Sequence, residues 1–227
     1  MSYGTTLSRV ETYFDKTATR TWERLTSDAP VSRIRETVRQ GRDAMRDQIL
    51  GRLPADLTGV RVLDAGCGAG QMTQALAARG AHVVAVDISP SLVEIARKRL
   101  SPDLAARVTF HAGDMLDPAL GRFDHAVAMD SLIYYDSTDV AGALKALGAR
   151  TQSRIVFTVA PRTRLLMAMW RMGQLFPRSD RSPTMVPQSP TRLATTLRDA
   201  GCPGHLRELE RVSSGFYISQ AMEYASC

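Results

Sequence analysis

Cysteine, lysine, histidine and long apolar runs are all scarce in this 227-residue chain, and each shortage removes a class of function. The three cysteines, Cys67, Cys202 and Cys227, have no CxxC spacing and no neighbouring histidine, so neither a zinc site nor a disulfide framework is indicated. Reduced thiols suit a cytoplasmic protein. No stretch approaches the roughly 18 uninterrupted apolar residues of a membrane span, and the N-terminus lacks the apolar core and small-residue cleavage site of a secretory signal. The expected location is therefore the cytoplasm. What is present, 44% hydrophobic residues, suffices for one α/β core with no second independent domain.

Lysine is nearly absent, so the net charge of +6 rests on arginine; only Lys16, Lys98 and Lys145 break the pattern. Planar guanidinium forks bind carboxylates and phosphates, while GC-rich codon usage yields the same excess without any binding role. The lysine runs, basic tail and exposed aromatic series of a nucleic-acid footprint are missing, and nucleic acid is not expected as a partner.

Residues 1–53 read as an N-terminal helical cap, with Tyr13, Phe14 and Trp22 first and then Val31, Ile34, Val38, Met45, Ile49 and Leu53 near helical spacing. The remainder, 54–227, alternates short apolar strands at 60–64, 82–87, 108–112, 125–129 and 154–159 with helical stretches, the pattern of a parallel doubly wound sheet. Gly80 ends one helix, and Ser89-Pro90 opens the next with an N-cap and a first-turn proline. Ser189-Pro190 and Gly201 bracket a later one. Two strand-like pieces at 205–212 and 215–221 lie too close together for a crossover helix and are expected to be antiparallel. Residues 161–189 break the rhythm: Leu165, Met169, Trp170 and Phe176 alternate with Arg162, Arg164, Arg171, Arg178 and Arg181. Such a segment suits a flat hydrophobic ligand bearing carboxylates, and equally a helix packed on the sheet.

The strongest motif is Val62-Leu63-Asp64-Ala65-Gly66-Cys67-Gly68-Ala69-Gly70, a strand leading through a glycine-rich turn into a helix. Glycines allow close backbone approach to a ligand, and the helix start offers free N–H groups. The dinucleotide fingerprint GxGxxG is broken, because Gln71 or Thr73 takes the last position, and this disfavours NAD. S-Adenosylmethionine has no pyrophosphate and asks instead for an open loop and an acid at the ribose. Asp87, ending the second strand, can grip both ribose hydroxyls or serve as an N-cap at Ser89. Gly113-Asp114 after the third strand would put a carboxylate at the adenine amino group, between Ile88 and Met115 as apolar walls.

Together these residues resemble the cofactor motifs of class I methyltransferases. The resemblance implies an α/β, Rossmann-like fold with a seven-stranded, mostly parallel sheet whose last strand is antiparallel. It also implies that Asp64, Gly66, Gly68, Gly70, Asp87, Ile88, Asp114, Met115 and Asp130 surround S-adenosyl-L-methionine. Further segments extend the likeness: Tyr13-Phe14-Asp15 with Trp22, Asp130-Ser131-Leu132-Ile133-Tyr134-Tyr135, Phe157 to Thr163, Leu175-Phe176-Pro177 and Phe216-Tyr217. With them nearly the whole chain resembles the magnesium protoporphyrin IX methyltransferases. The family often reads D-x-L-I-H-Y-P after the fourth strand; here Tyr134 and Asp136 replace the His and Pro, so that histidine's role passes to Tyr134 or lapses.

The resemblance implies esterification of a propionate of magnesium protoporphyrin IX in bacteriochlorophyll biosynthesis. Tyr134 would orient the carboxylate and Tyr13 would close over the cofactor, although both suit packing as well. Arg162, Arg164, Arg178 and Arg181 would face propionates, with Trp170 over the macrocycle; solubility and core packing are the plainer explanations. No metal site is expected, and His82, His111, His125 and His205 read as structural. The implied partners are the large porphyrin-binding subunit of magnesium chelatase and, peripherally, the inner membrane. The cofactor motifs are silent about the acceptor, so a quinone, a phenol or another small acid is the competing substrate.

Overall fold

Strands covered on both faces need nearly continuous apolar runs, and the central strands of this chain supply them, while the edge strand Val108–Ala112 does not. A computed structural model describes residues 3–18, 26, 32–162, 167, 184–202 and 204–225. Its strands are β1 (Arg61–Ala65), β2 (His82–Asp87), β3 (Val108–Ala112), β4 (Phe123–Ala128), β5 (Thr151–Val159), β6 (His205–Ser214) and β7 (Tyr217–Ala225). They form one sheet in the order β3-β2-β1-β4-β5-β7-β6. The first five strands are parallel, and β7 lies antiparallel to both β5 and β6. The expected topology is therefore observed, with β7 starting two residues later than the sequence pattern suggests because Gly215 and Phe216 make the turn.

Side-chain alternation divides each central strand between two apolar layers. Leu63, Val84 and Val86 join Phe123, Phe157, Leu144 and Leu193 on one face. Val62, Val83 and Ala85 join Met45, Ile49, Met72 and Leu76 on the other. The covering helices are α1 (Tyr3–Thr12), α2 (Arg33–Leu50), α3 (Gln71–Ala78), α4 (Pro90–Arg99), α5 (Ser137–Gly148) and α6 (Pro190–Asp199). Ser89 and Ser189 cap α4 and α6 through their hydroxyls, each followed by the proline that pre-sets the first turn. A π-helical stretch, Tyr13–Ala18, continues α1. Among the described residues, no helix is long and apolar enough to cross a membrane.

The helical spacing read through α2 holds only in part. Met45, Ile49 and, just beyond the helix, Leu53 are buried, but Ile34 in the first turn is 54% exposed. The fully buried positions of this helix start at Gly41, and before them only the partly buried Val38 packs against the core. Gly41 sits against the Tyr217 ring, and a β-carbon there would come within 2.6 Å of it.

Chain order puts the site at one edge. From β1 the chain fills β2 and β3 on one side, then crosses to β4 on the other. The loops leaving β1 and β4 therefore diverge and open a crevice at the carboxyl ends of the strands.

Gly41→Ala should lower stability by about 1–3 kcal/mol, although alanine is the better helix former, because the Tyr217 ring is wedged against that backbone. Denaturant unfolding measures it; an unchanged or raised midpoint would show that α2 shifts freely.

Candidate functional site

The crevice is a cleft of about 1020 Å³. Its floor is the turn from Gly66 to Ala69, and its sides are Asp87, Ile88, Gly113 and Met115. Asp130, Ser131 and Tyr134 close the β4 side, and Leu7, Val10 and Phe14 of the N-terminal helices form the roof.

The turn leaves β1 through Gly66 at φ +86, with the Gly66 and Cys67 N–H groups both donating to the Val86 carbonyl at 2.8 and 2.9 Å. A β-carbon on Gly66 would lie 2.3 Å from Cβ of Ser131, so glycine is needed here for approach as well as for dihedral freedom. The Gly68 N–H donates to one Asp87 oxygen at 2.8 Å and the Ser89 N–H to the other at 2.9 Å. Each oxygen retains a further acceptor position for a ligand. Burial nevertheless raises the Asp87 pKa, with these two hydrogen bonds opposing the shift.

Asp64 lies behind the turn, 1% exposed, accepting the Thr73 hydroxyl at 2.5 Å and so tying β1 to α3. Burial, with a smaller contribution from the Asp87 charge, pushes its pKa up to about 7 against the Thr73 hydrogen bond. Burial also drives the Cys67 thiol well up, which leaves it unsuited to nucleophilic work.

Asp130 has the single positive φ, +56, among the described non-glycine residues. Its carboxylate takes Arg42 of α2 at 2.5 Å, the Tyr217 hydroxyl at 3.1 Å and the Thr158 hydroxyl at 3.1 Å. Charge pairing and hydrogen bonds from three elements hold a backbone that a non-glycine residue seldom adopts. The twist carries Ser131 to the Gly66 turn, where its hydroxyl is buried without a hydrogen-bond partner. A buried hydroxyl in a cleft wall is a position for a polar ligand.

Tyr134 is half-buried with its ring edge-on to Phe14, centroids 5.9 Å apart. Burial first, then the Asp130 charge, holds its phenol well above the usual range, which keeps the hydroxyl protonated. No histidine lines the cleft, and His125, buried in β4 with its pKa lowered chiefly by burial, packs beside Arg154.

Several candidate residues sit otherwise than their motifs suggest. Asp114 is off the cleft wall: its carboxylate accepts the Tyr3 hydroxyl at 2.7 Å and the Leu116 N–H at 2.9 Å, while Gly113 and Met115 face inward. Gly70 does not line the cleft either; its left-handed backbone lets α3 pass Ala96 of α4, which an added β-carbon would approach to 2.9 Å. Tyr13 packs edge-on against Phe14, and it is Phe14 that faces the cleft. Arg162 is exposed in a second, smaller cleft, and Arg164, Trp170, Arg178 and Arg181 lie outside the described residues.

The sequence reading missed Arg42, Ser131, Tyr3 and Asp15. Asp15 accepts N–H and O–H bonds from Ser91 and the hydroxyl of Ser89, fastening the roof to the start of α4. Arg42 precedes Met45 by three residues, on the buried stripe of α2, and an arginine on an apolar stripe is the signal that would have found it. Asp15 and Ser131 lie inside segments that carry the resemblance but were given no role, and Tyr3 carries no local signal.

Known proteins share both the sequence and the geometry. Residues 128–226 match the family model described as magnesium-protoporphyrin IX methyltransferase C-terminus, and residues 62–152 match a methyltransferase domain model. The chain is 57% identical to the magnesium-protoporphyrin O-methyltransferase of Rhodobacter capsulatus over 98% of its own length and 97% of the relative's. It superposes on the crystal structure of magnesium protoporphyrin IX methyltransferase from Synechocystis PCC 6803 with bound SAH at a TM-score of 0.82 and 28% identity, covering 97% of this chain and 99% of that one. The SAM-bound form of that protein gives a TM-score of 0.77 at 24% identity, with coverage of 98% and 97%.

Since folding raises the Asp64 pKa from 3.8 to about 7, the folded state keeps a proton that the unfolded chain releases. That stabilisation is complete below the unfolded value and is lost as pH rises through the folded one. Without added cofactor, Asp64→Asn should therefore lose less Tm than the wild type between about pH 5 and pH 7.5, by roughly 4 °C or more. Parallel melting curves would show that Asp64 ionises normally.

Proposed function

The chain belongs to the magnesium-protoporphyrin IX methyltransferase family, from which we infer that it transfers a methyl group from S-adenosyl-L-methionine to a propionate carboxylate of magnesium protoporphyrin IX, giving the monomethyl ester in bacteriochlorophyll biosynthesis. One observation carries the reading within the structure: the glycine turn of β1, bound through Gly68 to Asp87, opens into a large cleft at the switch point of the sheet.

The residues present fit this cofactor. Asp87 has acceptor capacity for two ribose hydroxyls, Ile88 and Met115 offer apolar walls for the adenine beside Gly113, and Asp114 stands behind them. The buried Ser131 hydroxyl and the Arg42–Asp130 pair would face the amino-acid end, where Gly68 leaves the backbone open. Asp64, which also lines the cleft, is held by Thr73 at the base of the turn, and Gly70 keeps the turn's shape from behind. When bound, S-adenosylmethionine supplies an electrophilic methyl on a sulfonium.

The acceptor demands little acid–base chemistry. A propionic acid with a pKa of about 4–5 is ionised near neutral pH, so its oxygen attacks the methyl in line, the S–C bond breaks as the O–C bond forms, and no proton moves. The protein's share is alignment and exclusion of water. Tyr134, kept a phenol by burial, donates a hydrogen bond that fixes the carboxylate, while Phe14, backed by Tyr13, closes the roof.

We propose as further partners the large porphyrin-binding subunit of magnesium chelatase, as donor of an insoluble substrate, and a peripheral contact with the inner membrane. Exposed Ile34, Met185 and Phe216 and the net charge of +6 support such contacts.

Labelled S-adenosylmethionine should yield ester on magnesium protoporphyrin IX, and Asp87→Ala should weaken cofactor binding roughly 10- to 100-fold. Cofactor binding without turnover of the magnesium porphyrin would discard the acceptor. Tyr134→Phe should lower kcat about tenfold or more with little change in cofactor affinity; full activity in that variant would reduce Tyr134 to a packing role.

A further inference from the structure

A second cleft lies beside the first, separated from it by residues 131–136. Tyr134 and Tyr135 line the large cleft; Asp136, Ser137 and Thr138 line the small one together with Arg162, Gln188 and Arg192. The partition is firmly held. The Val186 N–H donates to the Ile133 carbonyl at 2.8 Å. Gln188, 1% exposed, donates to the Tyr135 carbonyl at 2.8 Å and accepts the Ser137 hydroxyl at 2.7 Å. The same glutamine fixes the strand end that carries Arg162, whose N–H donates to the Gln188 carbonyl at 3.1 Å. Arg192 stands in the first turn of α6, three residues after the Ser189 cap.

The charges of the two clefts are arranged differently. In the large cleft Arg42 pairs with Asp130 at 2.5 Å and Arg46 with Asp43 at 2.8 Å. In the small one, Arg162 and Arg192 have no acid within ion-pair distance among the described residues. The one carboxylate there, Asp136, is engaged with the N–H groups of Thr138 and Asp139, both at 3.0 Å, as the cap of α5. Two arginines thus line a cleft whose one carboxylate among the described residues is held by the start of α5.

The acceptor carries two propionates. A carboxylate clamped by guanidinium is a poor nucleophile, so the reacting one belongs where cations are already neutralised, and the resting one where they are not. Resting on the functional reading above, we propose that Arg162 and Arg192 form a subsite for the second, unesterified propionate, so that its neighbour is delivered to Tyr134 and a single ester forms. Rebinding of the monoester with its free carboxylate at Tyr134 would press an uncharged ester against both arginines, which disfavours a second methylation.

The test compares two magnesium porphyrins, one with two propionates and one with a single propionate, by fluorescence titration of the full chain with S-adenosylhomocysteine present, alongside turnover of the dipropionate. Wild type should bind the dipropionate about tenfold more tightly than the monopropionate, and the Arg162→Gln, Arg192→Gln double variant should abolish that preference with cofactor affinity unchanged and diester increased. A preference that survives in the double variant, or is absent from the wild type, overturns the subsite while leaving the methyltransferase reading intact. Failure of the wild type to methylate the dipropionate at all removes both.

Discussion

Two backbone turns in left-handed conformations face each other across the centre of the sheet, and the site depends on their fit. Gly66 leaves β1 and Asp130 leaves β4 with positive φ, so that Ser131 rests on a glycine that has no room for a β-carbon. Glycine adopts its turn without penalty; aspartate does not, and the ion pair and hydrogen bonds from α2, β5 and β7 offset that strain. The same carboxylate therefore shapes the cleft and anchors the covering helix to the sheet.

Buried carboxylates dominate the electrostatics of this region. Burial raises the pKa values of both Asp64 and Asp87, and the Asp87 charge adds to the shift at Asp64. A sulfonium ligand brings a positive charge into that environment, where low dielectric strengthens its attraction to both. The roof is secured by hydrogen bonds to carboxylates, from Tyr3 to Asp114 and from Ser89 and Ser91 to Asp15. Methyl transfer to an ionised acid requires no proton relay, which agrees with a cleft lined by phenol and hydroxyl groups and by no histidine.

The chain set out its own scaffold in local terms. Aliphatic runs placed the five parallel strands, Ser-Pro pairs placed two helix starts, and the short connection between 205–212 and 215–221 required an antiparallel pair. The glycine turn and Asp87 were readable too, because their geometry depends on neighbours within one β-turn-α unit. Contacts across space were not readable in this way. Asp114 stands in the expected loop, and one of its oxygens accepts the hydroxyl of Tyr3, more than a hundred residues earlier. Ile34 keeps the helical period but lies beyond the covered part of α2.

Periodicity, turn chemistry and the cofactor motif thus determined the fold class and the cofactor end of the site, since both rest on hydrogen bonds and side-chain spacing within short segments. Only the tertiary structure decided that Arg42 closes on Asp130, that Phe14 and not Tyr13 faces the cleft, and that Arg162 and Arg192 line a second one. Those contacts join elements far apart in the chain, and no local preference records which distant charge or ring will fill the space that packing leaves.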